Sequence, residues 1–226
     1  PLLVLVVPLL VDRVHILESS RESQVKAASA ELASIAKRGA QAQRDMVRSV
    51  EDILRTAASI YVHAHQLGRP CALMNSGVKV NLRGLGNISV VAAEFQEKCS
   101  TLPVLVGVDI TDRAYFHDAL ARRQFVLSDY VIGKAHGDPS VVAAFPTSIV
   151  NKDVEAVLIT SITLTWLEEL VGRTPATAGM SLTLIDGGGS VLASKPAADA
   201  SSITRAVIDQ VMTSTGEETA GIVSAG

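Results

Sequence analysis

Aromatic side chains and cysteines are scarce in this sequence. Phe, Trp and Tyr together make up 4% of its 226 residues, so the core must be built mainly from Val, Leu, Ile and Ala. The two cysteines are too few for a disulfide-dense scaffold and lack the spacing of zinc ligands. Basic residues are not in excess either, because 20 Lys and Arg face 23 Asp and Glu and the net charge is -3. We therefore expect no metal, no cofactor and no nucleic-acid partner.

Hydrophobic residues, by contrast, are abundant at 48%, which excludes an intrinsically disordered chain. The first eleven residues, 1–11, are all apolar. They amount to about half of the roughly 20 residues that a helix needs to cross a bilayer. Two interpretations remain open: the tail end of a transmembrane or signal-anchor helix, or a buried strand that begins the fold. We favour the first, because a helical pattern follows without a turn signal.

The segment 12–66 has the pattern of one long spine helix. It contains no proline and a single glycine, Gly39. Apolar or small residues recur mostly three, four or seven positions apart, which places them on one stripe of a helix. They are Leu17, Ala28, Leu32, Ile35, Ala42, Met46, Val50, Ile53, Ala57 and Ile60. A helix of this length is typical of a coiled coil or a stalk, so we expect either a parallel dimer or a helix lying on its own domain.

Beyond residue 67, short β-like runs are separated by Gly, Pro, Asn and Asp. Residues 88–100 and 182–194 each have the pattern of a strand, a turn and a second strand, which predicts two hairpins. Between them the sequence predicts a helix capped by Asp112 and then three antiparallel strands. The predicted elements outside the hairpins are a helix at 112–121, strands at 124–132, 140–146 and 154–163, a helical run at 164–170, a helix at 201–212 and a strand at 219–223. This is the element order of a PAS-like sensor fold.

Three segments resemble the double Cache family of bacterial receptor domains. They are Asp109-Ile110-Thr111-Asp112-Arg113-Ala114-Tyr115-Phe116, Phe125-Val126-Leu127-Ser128 and Ala143-Ala144-Phe145-Pro146. The resemblance covers nearly the whole chain and implies an α+β fold, in which a long N-terminal helix precedes two PAS-like antiparallel-sheet units. The membrane-distal unit would occupy residues 67–175, and the membrane-proximal unit, at 176–226, would be incomplete.

The resemblance also implies a function. In this family the module is the extracytoplasmic input domain of diguanylate cyclases, histidine kinases and chemoreceptors. We therefore expect a homodimeric inner-membrane protein, anchored by flanking helices, whose sensor faces the periplasm and is itself not an enzyme. A small ligand would bind in the distal unit and signal through the long helix to a cytoplasmic output domain. A diguanylate cyclase is the first choice for that output, a histidine kinase or chemoreceptor is the alternative, and a ligand-free stalk that binds protein partners is a third hypothesis.

Amino-acid-binding members of the family carry an Arg, an aromatic residue two positions later and a second aromatic residue next to it, which this chain matches with Arg113, Tyr115 and Phe116. They also carry a Tyr five residues before the Arg and an Asp in the long central strand, where this chain has Val108 and Ser161. A desolvated ammonium group needs a carboxylate partner, so we expect an organic anion held by Arg113 and not an amino acid. The residues predicted to bind the ligand are Arg113, Tyr115, Phe116, Ser128, Tyr130, Phe145 and Ser161.

Two assignments leave an alternative open. Arg113 could instead form a surface ion pair with Asp109 or Asp112, with the aromatic residues simply packing in the core. Cys71 and Cys99 would be free to pair outside the inner membrane, where a bridge would join the end of the long helix to the first hairpin. We favour that disulfide; the alternative is two unpaired thiols in the core.

A catalytic site is disfavoured. His117, Ser128 and Asp129 include the residue types of a hydrolytic triad, but Ser128 does not lie on a nucleophile elbow. The glycines at 187–189 fall in a predicted hairpin turn and not between a strand and a helix, as a phosphate loop would require. No catalytic residue is therefore predicted.

Overall fold

The computed structural model describes residues 2–69, 71, 84–92, 97–101, 108–110, 112–134, 137–148, 156–174, 181–195 and 209. Within these ranges, the backbone alone is described for residues 2–18, 32, 92, 97 and 98. The predicted helix at 201–212, apart from residue 209, and the predicted strand at 219–223 lie outside the described residues. The chain divides into two compact units, one made of residues 1–41 with 205–226 and the other of residues 42–204.

The long N-terminal helix predicted from the sequence is present. Helix α1, Leu2–Gln66, has 65 residues and continues through Gly39. It ends where Gly68 adopts a φ of 70°, a left-handed conformation that favours glycine at helix ends. No helix in the described part of the chain is both long enough and apolar enough to cross a membrane.

Among the described residues, five strands form one antiparallel sheet, and their order across it is β2-β1-β5-β4-β3. The strands are β1 Leu85–Ala92, β2 Glu97–Ser100, β3 Val126–Ile132, β4 Pro139–Thr147 and β5 Ala156–Thr163. Helix α2, Ala114–Arg122, precedes β3, and helix α3, Leu164–Arg173, follows β5. The predicted α+β class, the first hairpin and the three antiparallel strands are therefore confirmed.

Side chains of the sheet alternate between two apolar clusters, as the two-residue period of a strand requires. One cluster, which we call the α1 face, packs Leu54 of α1 and residues of α3 on Leu158 of β5. The other, which we call the α2 face, packs Phe116 of α2 on Val157 of β5. Val157 and Leu158 are both fully buried, so β5 is covered on both sides.

The second predicted hairpin is also confirmed. Strands β6, Leu182–Ile185, and β7, Val191–Lys195, form a separate antiparallel pair. Helix α3 connects this pair to the five-stranded sheet, because Leu167 of α3 and Leu192 of β7 lie in the same cluster on the α1 face. The hairpin is thus packed through α3 and does not add strands to the larger sheet.

Hydrogen bonds of two side chains, Lys195 and Asp186, fix the two ends of this hairpin. Lys195 Nζ at the end of β7 donates to the carbonyl oxygen of Gly172 in α3 at 2.7 Å. In the turn between β6 and β7, Asp186 Oδ2 accepts the N–H of Tyr130 in β3 at 2.9 Å, and its Oδ1 accepts the N–H of Ser190 at 2.7 Å. We call the last two hydrogen bonds the Asp186 clip. Burial raises the pKa of Asp186, but the backbone N–H donors outweigh it and hold the pKa below its usual 3.8.

A disulfide joins Cys71, which follows α1, to Cys99 in β2, as favoured from the sequence. The two Cα atoms are 5.1 Å apart. Cys99 is buried in the α1 face, and β2 is an edge strand of the sheet. The bond therefore ties the end of α1 to the edge of the sheet on which α1 packs.

The predicted cap of α2 is wrong. The helix begins at Ala114, and Arg113 occupies the N-cap position without a side-chain hydrogen bond to the helix. The carboxylate of Asp112 is instead 2.7 Å from Lys134 Nζ. Lys134, in the turn between β3 and β4, therefore pairs with the carboxylate that the sequence pattern assigned to the N-terminus of α2.

Reduction of the disulfide should lower the free energy of unfolding by about 3 to 4 kcal/mol, because a bridge between residues 28 apart restricts the unfolded chain. Urea denaturation with and without reductant measures this difference. The double variant Cys71→Ala, Cys99→Ala is the control, since reductant should not move its curve. An unmoved wild-type curve, with loss of the bond verified by mass spectrometry, would contradict the assignment.

Asp186→Asn should destabilise the protein by about 1 to 3 kcal/mol at neutral pH, because charge-assisted hydrogen bonds to two N–H groups are weakened. The folded pKa of Asp186 is lower than the unfolded value of 3.8. Its stabilising effect is therefore complete above that value and is lost as the pH falls through the folded pKa. The difference in unfolding free energy between wild type and variant, measured by urea denaturation, should vanish in strong acid.

The matched control is Asp129→Asn. Asp129 lies beside the same turn, since a Cβ added to Gly187 would be 3.0 Å from Asp129 Oδ1, but its carboxylate does not form the clip. Its replacement removes a like charge near Asp186 and should cost no stability. Equal losses in the two variants would mean that the clip does not stabilise the fold.

Candidate functional site

Helix α2 places two of the predicted ligand residues on the α2 face. Tyr115 is 7% exposed and Phe116 is fully buried. Around them lie the aliphatic side chains of Val91, Val126, Val142, Ala144 and Val157. This packing is the core role that the sequence left open for the aromatic residues, and it fixes the position of the preceding Arg113.

Arg113 lies at the start of α2 and close to the end of β3. Its side chain is 23% exposed, and its Nη2 donates to the carbonyl oxygen of Ile132 at 2.9 Å. Its Nε is 3.8 Å from Asp112 Oδ1. The guanidinium has five N–H donors, so one backbone hydrogen bond leaves most of its planar fork for other acceptors.

Lys134 is the closer cation to Asp112. Its Nζ lies 2.7 Å from Asp112 Oδ1 and also donates to the carbonyl oxygen of Asp109 at 2.9 Å. The hydrogen bond from Lys134 is the main reason that the pKa of Asp112 lies below its ordinary value. The ion pair between Arg113 and Asp112 that the sequence allowed is therefore present but long, and Lys134 competes for the same carboxylate.

Ser161 shares the α2 face with these residues. It lies opposite Val142 of β4, which belongs to that face. Its Oγ lies against Gly86 of β1, at a place that a Cβ on Gly86 would occupy. Gly86 thus provides the space into which the Ser161 hydroxyl projects.

A buried polar cluster on the same face was not predicted. Asn87 Nδ2 donates to Ser89 Oγ at 2.8 Å and to Ser100 Oγ at 3.2 Å, and Ser89 Oγ donates to Ser100 Oγ at 3.1 Å. Ser89 and Ser100 are 3% and 1% exposed. Ser89 lies opposite Ile159, which packs on the α2 face. The sequence feature that could have predicted this cluster is the pair Asn87 and Ser89, which are polar residues at alternate positions of a mainly apolar strand.

Ser128 is engaged by the backbone. It lies in a bulge of β3, where the register with β4 shifts between Leu127 and Tyr130. Its Oγ accepts the N–H of Val142 at 2.8 Å and donates to the carbonyl oxygen of Asp129 at 2.6 Å. The hydroxyl thus completes the pairing of β3 with β4.

Tyr130 and Phe145 lie on the opposite side of the sheet from Arg113 and Tyr115. Tyr130 pairs with Val141, a member of the α1 face, and its side chain is 37% exposed. Phe145 packs on the α1 face and borders a groove of about 350 Å³. The other residues lining this groove are Arg55, Ala58, Ser59, Val62, His63, Gln66 and Thr147. The structure therefore places Arg113, Tyr115, Phe116 and Ser161 on one side of the sheet, and Tyr130 and Phe145 on the other.

Solved structures of similar fold are sensory ligand-binding domains. The domain of the Campylobacter jejuni chemoreceptor Tlp3 in complex with L-norvaline has a TM-score of 0.65 at 12% identity, covering 84% of this chain and 79% of that one. The domain of Pseudomonas fluorescens chemoreceptor CtaA with L-serine has a TM-score of 0.59 at 14% identity, covering 80% and 76%. The domain of the Pseudomonas aeruginosa PAO1 amino acid chemoreceptor PctC with GABA has a TM-score of 0.59 at 16% identity, covering 79% and 80%.

The chain has the α+β fold of these sensory domains. No family model and no curated protein matches the sequence. In the part of the chain that the structure describes, no three His, Cys, Asp or Glu side chains are grouped as metal ligands would be.

Proposed function

We propose that this chain is the extracytoplasmic ligand-sensing domain of a membrane-bound receptor, with its small-molecule site on the α2 face. The observation that carries the proposal is the placement of Arg113, Tyr115 and Ser161 on the same side of a sheet whose fold is shared with sensory domains. Aliphatic walls with a few convergent polar groups are what small-molecule sites require. The buried cluster of Asn87, Ser89 and Ser100 adds uncharged polar groups to the same face.

The proposed location has a separate line of support. The disulfide between Cys71 and Cys99 suits an oxidising compartment, such as the periplasm. Residues 19–28 of α1 are exposed along their whole length, which suits pairing with a second copy in a receptor dimer. The neighbours described above are chemoreceptors, and a chemoreceptor or histidine kinase output is as compatible with sensing as the diguanylate cyclase that the sequence resemblance favoured.

The ligand class follows from the charges on the α2 face. The ligands named for the neighbours are amino acids or GABA, which carry an ammonium group as well as a carboxylate. In this chain Arg113 offers a planar fork to a carboxylate, while Ser161 offers only a hydroxyl where the amino-acid-binding pattern has an Asp. We therefore propose an organic anion without an ammonium group.

Carboxylates should raise the melting temperature of the wild type and not that of Arg113→Ala. At one hundred times Kd, binding adds about 2.7 kcal/mol, which corresponds to a rise of about 5 to 10 °C for a domain of this size. A thermal-shift screen of mono- and dicarboxylates, amino acids and GABA measures this effect. The unliganded melting temperatures of both proteins establish that the variant is folded.

The matched control is Arg122→Ala, on the same helix. The Arg122 side chain is 59% exposed and lies 3.7 Å from Asp118, so its removal should leave binding intact. A shift that persists in Arg113→Ala would place the ligand elsewhere. No shift with any carboxylate would favour the ligand-free stalk, which binds protein partners.

Ser161→Asp should let the α2 face accept an amino acid. The new carboxylate would supply the partner that an ammonium group needs when it leaves water. L-Serine and GABA should then raise the melting temperature of the variant and leave the wild type unchanged. Ser161→Asn is the control of similar shape without charge, and a response by the wild type or by Ser161→Asn would contradict the role of charge at this position.

A further inference from the structure

Strand β3 lies at the edge of the sheet and is held on its free side by two charged side chains. The N–H of Tyr130 donates to Asp186 Oδ2 at 2.9 Å, and the carbonyl oxygen of Ile132 accepts from Arg113 Nη2 at 2.9 Å. Residues two apart on a strand direct their backbone groups to the same edge. Asp186 and Arg113 therefore occupy neighbouring positions along an edge that pairs with no other strand in the described part of the chain.

The two side chains come from different parts of the fold. Arg113 precedes α2, on the side of the sheet that carries the proposed ligand site. Asp186 lies in the turn of the β6–β7 hairpin, which packs through α3 on the α1 face. The last residues of β3 are thus hydrogen-bonded both to Arg113, next to the α2 face, and to Asp186 in the second hairpin, so a shift in them would affect both.

The middle of β3 is built to permit such a shift. At the bulge, the N–H of Val142 in β4 donates to the Ser128 side chain at 2.8 Å. The glycine turn of the hairpin lies close to the same bulge, as Gly187 is beside Asp129. The bulge interrupts the pairing of β3 with β4, which resumes at Tyr130. The last residues of β3 are thus separated from the rest of the strand by a stretch that side-chain hydrogen bonds hold, and such a stretch constrains a strand less than a continuous backbone ladder does.

We propose that β3 and the Asp186 clip couple the α2 face to the β6–β7 hairpin, with Arg113 as the group that sets the position of β3. This rests on the proposed function for its biological meaning, because a carboxylate bound by Arg113 would compete with the carbonyl oxygen of Ile132. Loss of that hydrogen bond loosens the end of β3, weakens the clip and frees the hairpin turn. The far end of the hairpin stays on α3 through Lys195, so the turn moves relative to a fixed end.

The coupling can be measured without a ligand, using Arg113→Ala as the probe. Amide hydrogen exchange followed by NMR reports Tyr130 and Ser190, the two N–H donors of the clip. In Arg113→Ala both amides should exchange about tenfold faster than in the wild type, the change expected when a charge-assisted hydrogen bond is weakened. In Arg122→Ala, the exposed control on the same helix, both should exchange at the wild-type rate.

A second background tests whether the path runs through Asp186. In Asp186→Ala the Ser190 amide should already exchange fast, and adding Arg113→Ala should change it no further. The proposal would be overturned if the Ser190 amide of Arg113→Ala exchanged at the wild-type rate. It would also be overturned if Arg113→Ala raised the exchange rate of Ser190 by the same factor in the Asp186→Ala background as in the wild type. If Arg113→Ala does not fold, Arg113→Lys replaces it, because this variant keeps the charge but loses the planar fork. It should raise the exchange rates of the Tyr130 and Ser190 amides by a smaller factor, and unchanged rates would overturn the proposal. Because no ligand is added, a failure of carboxylate binding would be seen separately in the thermal-shift screen.

Discussion

Strand β5 must bury both of its faces, and the rest of the fold is arranged around that requirement. Val157 and Leu158 are adjacent residues of β5 whose side chains point to opposite sides of the sheet, and both are fully buried. The C-terminal half of α1 and helix α3 cover one side, while the nine-residue α2 lies on the other. The α2 face is therefore where a short helix, aliphatic walls and several polar side chains lie together, which is the combination that the proposed small-molecule site uses.

Local sequence patterns were enough to predict the strands and helices in the described part of the chain, but not the face of the sheet on which each side chain lies. The strands at 124–132, 140–146 and 154–163 were readable because alternation and turn residues are local signals. Simple alternation from Val126 would have placed Ser128 and Tyr130 on the α2 face with it. The bulge inserts one residue, so Val131 takes that face and Tyr130 turns to the other. A bulge depends on the partner strand, which no local pattern of β3 contains.

The partners of the charged side chains could not be predicted from the sequence either. Asp112 had the position of a helix cap, but Lys134, 22 residues later, lies within 2.7 Å of its carboxylate. This leaves Arg113 at 3.8 Å from Asp112 and in contact with Ile132. The Asn87 cluster was missed for the related reason that its third member, Ser100, comes from the neighbouring strand. In each case the partner is fixed by the tertiary fold and not by spacing along the chain.

The two side chains at the edge of β3 can both protect that edge from association with other chains and transmit a response to a ligand. An unpaired strand edge invites association with other chains, and proteins commonly blunt it with charged side chains. Here the blunting groups are Asp186 and Arg113, which belong to two different elements and reach backbone groups two residues apart. A ligand that bound Arg113 would leave the carbonyl oxygen of Ile132 without its hydrogen-bond donor. An unpaired backbone group costs free energy, and this cost would favour a movement of β3 that pairs the group again. A sheet closed by backbone pairing at that edge would have no such dependence on a single side chain.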